Sequence, residues 1–528
     1  MFKEAERVHL ESHQQMQSWS EVPASPIRRA GHQILDCMWV YTYKLDKHHR
    51  LLKCKARLVV RGDQQRNITS QDTYAATLAG RSFRMLAAIA TKHDLELKQY
   101  DVTNAFVHAA IDREIYMRMP SGYQKPGTIL RVQKALYGLR ISPLLWQKEF
   151  TSSLTQLGFS TVPHEPCCMI KNGVIIFFYV DDIILAYHKS KENEAHKIVG
   201  SLKQKYTLTG GDDLRWFLGT EIIRDWKQKL IQLSQQSYVE KISRLAEQLD
   251  VRHDTPMASV ELVPNTGLAT AAEVNRYQRK IGSLLFAAVT TRPDIAFATS
   301  RLARFLVNPS PEHHKAADRV LLYLQSTRSK ALQFGQGDGL EIASDASFAD
   351  NTQDRKSSQG YVIKLFGGLV AWRASKQDTV TTSTTEAELL ALSQAAKEAL
   401  YLTRLLKELQ VSLPNSTASI SCDNKQTIRL VTKDVAKLQT KLRHVDIHNH
   451  WLRQEVSRGK IMVTYVPTER MLADGLTKPL PANKWENFLD QLGIVERNQL
   501  TLKEVQLEEV HARLEALSMT ESINRSAA

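Results

Sequence analysis

Apolar residues recur along this chain with two periods, and the changes of period mark its elements. Between Cys37 and about Val60 the alternating patches MWVYTYKL and KARLVVRG read as strands. RSFRMLAAIATKHDL (81–95) has helical spacing, and LELKQYDVTNAFVH (95–108) alternates, then ends in a turn or helix start. PLLWQKEFTSSLTQL (143–157) and KENEAHKIVGSLKQKY (191–206) read as amphipathic helices. Between them GVIIFFYV and IILAYH flank two acids as the strands of a hairpin would. The stretch 253–272 is loop-like, and a helical region follows it. In that region NPSPEHHKAADRVLLYL starts a helix with Ser310 as N-cap and Pro311 as first residue. GQGDG (335–339) reads as a linker, after which the pattern resets. A strand (LEIASDAS) is followed by a hairpin turning at Gly367-Gly368. A long helix over about 385–410 then carries Leu389, Leu392, Ala396, Ala399, Leu402 and Leu406 on one stripe. The order β-β-β-α-β-α-β-α predicts a separate α/β domain. Residues 1–30 are polar and read as peripheral.

Length and charge narrow the class. A chain of 528 residues is too long for one core and predicts three or four units. Its formal charge of +14 points to a polyanionic partner, most often nucleic acid, over a merely soluble basic protein. The five cysteines, Cys37, Cys54, Cys167, Cys168 and Cys422, are odd in number and form no CxxC. That argues against a disulfide framework or zinc knuckle and for a reducing compartment. The first residues lack the apolar core of a signal peptide, and no apolar run reaches the roughly 18 residues of a membrane helix. A soluble, intracellular protein is expected, with no membrane partner.

The candidate chemistry begins in IIFFYVDDIILAY (175–187), where Asp181 and Asp182 interrupt a strongly apolar run. A buried carboxylate must be protonated, paired or metal-bound. An Asp pair in a turn is also ordinary, because Asp bonds nearby backbone N–H groups. The discriminator is a third acid: Asp101 ends the alternating run LELKQY, and strand-end acids on neighbouring strands can converge. Three close carboxylates raise one another's pKa unless cations join them. Two Mg²⁺ ions would resolve this and suit phosphoryl transfer.

YVDD (179–182), QYDVTNAF (99–106), KALYGLRISPLLW (134–146), FLGTEI (217–222) and KARLVVRGDQQ (55–65) together resemble the reverse transcriptase of copia-type LTR retrotransposons. The resemblance runs from about residue 17 to 480. It implies that Asp101, Asp181 and Asp182 are polymerase carboxylates, with Asp101 and Asp181 the direct ligands, and that Phe106 is an aromatic gate against a 2′-OH. It implies that Lys55, Arg57 and Arg61 lie on a basic strand able to hold triphosphate oxygens. Tyr137 and Gly138 fall where the family contacts the nucleotide. Relatives commonly carry Lys-Gln after YGL; here Arg140-Ile141 keeps the charge and loses the amide, which bears on a template contact. Trp216, Phe217 and Gly219 match the primer-grip neighbourhood.

The region after the linker has its own acids: Asp345 in ASDASFAD, Asp423 in ISCDN and Asp474 in MLADGLTK, at strand ends and a helix start. The long helix offers Glu386 or Glu388, and a capping box fits either, with Ser383 or Thr385. SDASFAD, DRKSSQGYVI, SKQDTVTTSTTEAE, SCDNKQTI and LADGLTKPL resemble the ribonuclease H of the same elements. That resemblance selects Glu388 and makes Asp345, Glu388, Asp423 and Asp474 the catalytic and metal-binding set. VTYVPTERM, before the last Asp, lacks the mobile His of many such enzymes. HVDIHNH (444–450) places His444 and His448 at i, i+4, without the Cys or Glu of a metal motif. Leu500, Leu507, Val510, Leu514 and Leu517 form a short stripe in the tail.

The expected fold is an α+β fingers-palm-thumb polymerase followed by an α/β ribonuclease H-like domain with a mixed five-stranded sheet. Its expected parts are a polar segment (1–32), fingers and palm (33–252), thumb or connection helices (253–336), ribonuclease H (337–480) and a helical tail (481–528). The resemblance implies an RNA-directed DNA polymerase that copies retrotransposon RNA and degrades the RNA strand of the hybrid. Each site would use two Mg²⁺, with Mn²⁺ as a substitute. Partners would be RNA template, DNA primer, RNA–DNA hybrid and dNTPs, with an oligomer or an integrase or capsid association left open. Family location is a cytoplasmic virus-like particle or the nucleus. The competing readings are a decayed or co-opted nucleic-acid-binding relic and a nuclease with an inert polymerase.

Overall fold

The computed structural model describes residues 2–45, 51–247, 251–415, 417–433 and 442–497; the leucine stripe beyond residue 497 lies outside them. Among the described residues, no helix is long and apolar enough to cross a membrane. Three sheets position the candidate chemistry. In the first, six strands run in the order Leu208–Asp213, Leu95–Val102, Asp182–His188, Val174–Tyr179, Cys168–Lys171, Ser160–Thr161. The hairpin strands beside the two acids are buried on both faces, which is why they read as continuous apolar runs and do not alternate.

A second sheet orders Trp216–Phe217, Thr220–Asp225, Leu230–Ser234, Lys330–Phe334 and Ile494–Glu496. It crosses the boundaries expected from sequence. Leu332 pairs with Leu233 on one side and with Ile494 on the other. The segment after residue 480 is therefore a helix, Ala482–Leu492, and then a strand built into this sheet.

The third sheet orders Gly368–Lys376, Ser358–Leu365, Leu340–Ser347, Ala418–Cys422 and Ile461–Tyr465. The first two pairings are antiparallel and the last two parallel, the mixed five-stranded arrangement expected. Two details differ from the sequence reading. The hairpin turns on Phe366 and Gly367, both at positive φ, while Gly368 already begins the next strand. A Cβ on Gly368 would lie 2.2 Å from Phe334 Cδ1, so that glycine serves packing. Between the last two strands there are two helices, Lys425–Thr432 and Arg443–Ser457, where one was expected.

Arg84 joins the first part of the chain to the third sheet. It donates to Val370 O (2.9 Å), Val289 O (2.9 Å) and Thr290 O (3.1 Å), and its guanidinium lies 4.0 Å from the Trp372 ring centroid. The bond to Val370 is buried and the other two are part-buried, and the charged donor satisfies all three carbonyls.

The N-terminal segment is not peripheral. Helix Phe2–Gln15 packs on strand Leu51–Val60. His9 Nε2 accepts from Leu58 N–H at 3.0 Å, and Tyr41 OH donates to Glu6 at 2.7 Å. His13 bonds Ser18 Oγ at 2.8 Å and stacks on Trp19. Strand Trp19–Pro23 then pairs with Thr128–Val132. Glu6, His9 and His13 follow helical spacing, but the docked face is polar and so invisible to an apolar period. Burial, with Arg57 and Lys55 adding, pushes His9 down to about 4; burial and then His9 push His13 down to about 3. Both imidazoles are neutral in the fold and titrate near 6.5 in an unfolded chain. Their contribution is therefore complete above pH 6.5 and is lost as pH falls toward 4 and then 3. Limited proteolysis of this helix should accelerate across that window, and the double variant H9Q/H13Q should flatten the dependence.

Candidate active sites: two carboxylate clusters

Tyr179 stands opposite Asp182 in the antiparallel hairpin, so Val180 and Asp181 form its two-residue turn. Val180 sits at φ +57°, a costly conformation for a β-branched residue. The surroundings fix it. Trp146 Nε1 donates to Val180 O at 2.6 Å, and Val102 N–H donates to Asp181 O at 2.9 Å. The turn is thus tied both to helix Ser142–Gln156 and to strand Leu95–Val102. On that strand Asp101 faces Asp182 directly in register, which places the two carboxylates on one side of the sheet. Gln99, two residues before Asp101, donates to Asp182 Oδ1 at 3.3 Å. Burial and then the Asp181 charge raise the Asp182 carboxyl, against the Gln99 bond, with Asp101 adding. The three acids therefore converge, with Asp182 the tethered inner member and Asp101 exposed.

Next to them, Phe106 lies in the short turn of helix Ala105–His108, entered through Asn104 at φ +54°. Its buried ring meets Tyr137 edge-on, with centroids 4.8 Å apart. Burial pushes the Tyr137 hydroxyl up to about 12, with Asp181 adding and Arg57 opposing. The Arg57 guanidinium lies 5.9 Å from the same ring centroid. Arg57, Tyr137 and Phe106 thus line up beside Asp181. Lys55 shares Arg57's side of the strand by its period of two, and both charges act on His9. Arg61 is not brought to this row: it forms a two-pronged pair with Asp63 at 2.9 and 2.7 Å.

Gly138 makes a close backbone approach here. It has φ +93°, and a Cβ would lie 2.1 Å from Val60 O; Val60 N–H donates to Tyr137 O at 2.8 Å. Gly138→Ala should cost roughly 3 kcal/mol or more through strain and overpacking, read as a lowered melting temperature together with weakened nucleotide binding. Ile141 is not a surface residue. It is buried among Leu58, Val60, Leu136 and Leu139, while its neighbour Arg140 is exposed. Trp216 and Leu218 are exposed at the tip of their hairpin, while Phe217 packs on Phe83.

The second cluster gathers on the third sheet. Asp345 lies on its central strand, and Asp423 follows the parallel neighbour. Glu388 comes from helix Thr384–Glu408 and Asp474 from the short turn Asp474–Leu476. Glu388 Oε1 accepts from Ala346 N–H at 3.2 Å, while its buried Oε2 has no hydrogen-bond partner. Asp423 accepts from Thr468 Oγ1 at 2.7 Å, Asp345 accepts from Thr477 Oγ1, and Asp474 pairs with Lys478 at 2.5 Å. Burial pushes Asp345 up to about 6 against the Thr477 bond, with Asp474 and Asp423 adding. Burial, then Asp345 and Asp423, raise Glu388 well above the carboxylate range. Glu386 instead turns to the helix start, accepting from Thr382 N–H (2.6 Å) and Oγ1 (2.8 Å). Thr477 and Lys478 were quoted within LADGLTKPL without a role; their spacing from Asp474 was the available signal. His448 is pushed down by burial and Lys397. Among the described residues the group that could hold a metal is Glu388, Cys422 and Asp423, not the histidines.

An all-oxygen, mutually repelling set with an orphaned buried oxygen fits a hard divalent cation. The second cluster is of this kind; the first offers converging carboxylate oxygens without the orphaned one.

Residues 26–258 match the family described as reverse transcriptase (RNA-dependent DNA polymerase). The chain is 33% identical over 485 residues to a retrovirus-related Pol polyprotein from transposon TNT 1-94 of Nicotiana tabacum, covering 88% of this chain and 36% of that protein. It is 30% identical over 491 residues to the one from transposon RE1 of Arabidopsis thaliana (90% and 32%). It is 27% identical over 492 residues to the transposon Ty1-DR1 Gag-Pol polyprotein of Saccharomyces cerevisiae (86% and 27%). The chain thus spans about a third of the length of these curated relatives. Among solved structures, an N-terminal ribonuclease H domain from Mycobacterium tuberculosis is 16% identical, covering 29% of this chain and 94% of that chain at a TM-score of 0.21. LC11-RNase H1 in complex with an RNA/DNA hybrid is 17% identical (26% and 92%, TM-score 0.20).

Proposed function

The chain is a homologue of copia-type transposon Pol polyproteins with a reverse transcriptase domain at residues 26–258, and on that premise we propose that it is an RNA-directed DNA polymerase with a second, ribonuclease H site. The observation that carries this reading is the convergence of Asp101, Asp181 and Asp182 on a turn fixed by Trp146 and Val102. In this reading residues 33–252 are fingers and palm, 253–336 thumb or connection, and 337–480 the nuclease. Divalent cations, two per cluster, would activate the attacking oxygen and neutralise charge on the leaving one when held by these acids.

The chain's own residues do the rest. The buried flanks of the hairpin hold the acids rigidly, so that a primer 3′-OH and the α-phosphate of a dNTP meet one geometry. Phe106, backed by Tyr137, presents a ring edge where a ribose 2′-OH would clash. Arg57 and Lys55 supply positive charge for triphosphate oxygens. At the other cluster, Thr477 and Ala346 N–H orient Asp345 and Glu388 toward the RNA strand of a hybrid. The basic surplus holds template, primer and hybrid through phosphates, with steep salt dependence.

The test is extension of oligo(dT) on poly(rA) by the purified chain with dTTP and Mg²⁺, alongside cleavage of a labelled RNA strand in a hybrid. Mg²⁺-dependent extension and cleavage are expected. No extension at any Mg²⁺ or Mn²⁺ concentration would overturn the polymerase reading.

A further inference from the structure

Cys422 is the last residue of the strand that delivers Asp423, and its side chain is fully buried. Its Sγ, a carboxylate oxygen of Glu388 and one of Asp423 all lie within 4.8 Å of one another. A cysteine beside acids is not in itself a site. The second observation is Glu388 itself, only 5% exposed: one of its carboxylate oxygens lies in this group, and its Oε2 is buried without a hydrogen-bond partner. We propose that Cys422, Glu388 and Asp423 form a binding site for one thiophilic divalent cation of the Zn²⁺ and Cd²⁺ class, overlapping the second acid cluster and blocking hybrid cleavage when filled. The inhibitory half of this statement rests on the ribonuclease H reading; the binding half does not.

The donor chemistry separates two kinds of cation. Mg²⁺ takes oxygen ligands and gains nothing from sulfur, whereas Zn²⁺ binds sulfur at about 2.3 Å and carboxylate oxygen at about 2.0–2.2 Å in a tetrahedron. Three protein donors leave the fourth position to water. Ligand atoms around such an ion stand roughly 3.3–3.8 Å apart, so the group must close by up to about 1.5 Å from its present spread of at most 4.8 Å. Cys422 is held by its strand register with Tyr465, so the carboxylates move. Glu388 brings its unpaired Oε2, and Asp423, half-buried, rotates from Thr468. On binding, the metal–sulfur bond forms as the S–H bond breaks, and the proton passes to solvent; no electron changes hands. The same ion draws Glu388 and Asp423 away from the arrangement they need with Asp345 and Asp474.

The experiment is a Cd²⁺ titration of the full chain, read by the sulfur-to-metal charge-transfer absorption in the ultraviolet, for wild type, C422A and E388Q. Difference spectra against C422A remove the contribution of the other four cysteines. One equivalent of absorption is expected in wild type and none at this position in C422A. In E388Q the band should remain, with affinity at least tenfold weaker. In parallel, Zn²⁺ should inhibit Mg²⁺-supported hybrid cleavage at a concentration at least tenfold lower in wild type than in C422A. If C422A does not fold, E388Q decides the binding half: unchanged Cd²⁺ affinity overturns the site. Identical Cd²⁺ spectra in wild type and C422A also overturn it. A one-equivalent band lost in C422A, in a chain that cleaves no hybrid, upholds the cation site and removes the nuclease reading.

Discussion

Asp181→Asn is expected to lower primer extension by at least about a thousandfold and to leave hybrid cleavage within about twofold of wild type. Asparagine keeps the shape of the side chain and removes its charge. Metal-assisted stabilisation of a transferring phosphoryl group is worth several kcal/mol, and each 1.36 kcal/mol is about tenfold in rate. The variant should fold normally, because the turn is held through main-chain oxygens, Val180 O to Trp146 and Asp181 O to Val102, which the substitution does not touch. Cleavage is spared because the four acids of the other cluster belong to a different sheet. Single-nucleotide incorporation rates decide the matter. An Asp181→Asn chain that extends primers within tenfold of wild type would mean that the hairpin acids do not carry the reaction.

What could be read beforehand depended on how local the cause was. The aspartate hairpin was legible because buried strands write themselves as unbroken apolar runs and the acids interrupt one. The Ser310 cap was legible for the same reason: Ser310 Oγ accepts from His313 N–H three residues on. The choice between Glu386 and Glu388 was not local. Capping chemistry fits both; the family resemblance selects Glu388, and the third sheet, which sets Ala346 N–H and Asp345 against Glu388, supplies the contacts that no local rule contains. The role of Lys330–Phe334 was equally hidden, because its partners lie about a hundred residues before it and about 160 after it. The docking of the N-terminal helix escaped because Glu6, His9 and His13 form a polar buried face. Ile141 misled for the opposite reason. It occupies a position where relatives carry a polar residue, yet here it fills the small core between Leu58 and Leu139.

Glu388→Gln should do two opposite things at once: reduce hybrid cleavage by about a thousandfold or more, and make the cation-free protein more stable at neutral pH. The first follows from removing one of four charges on which the second site depends. The second follows from burial. Desolvation raises both carboxyls first, with Asp345 and Asp423 adding at Glu388 and Asp474 and Asp423 adding at Asp345. A group with a raised folded pKa contributes stability below its unfolded value, near 4, and loses it as pH rises through the folded value. For Asp345, moved from 3.8 to about 6 and largely buried, that loss is on the order of 3 kcal/mol. Melts in chelator should therefore show wild type losing stability relative to E388Q between pH 5 and pH 8, a comparison that cancels the opposite pH dependence of His9 and His13, with Mg²⁺ restoring wild-type stability at pH 8. Glutamine keeps the shape and the bond to Ala346 N–H but cannot ionise. The variant should melt higher than wild type in chelator at pH 8, respond less to pH, and gain less from Mg²⁺. A difference between wild type and E388Q that is the same at both pH values in chelator would show that the acids are not in electrostatic conflict. A stabilised but inactive E388Q would mean that this carboxylate is kept, against the interest of the fold, for the chemistry it performs with a cation.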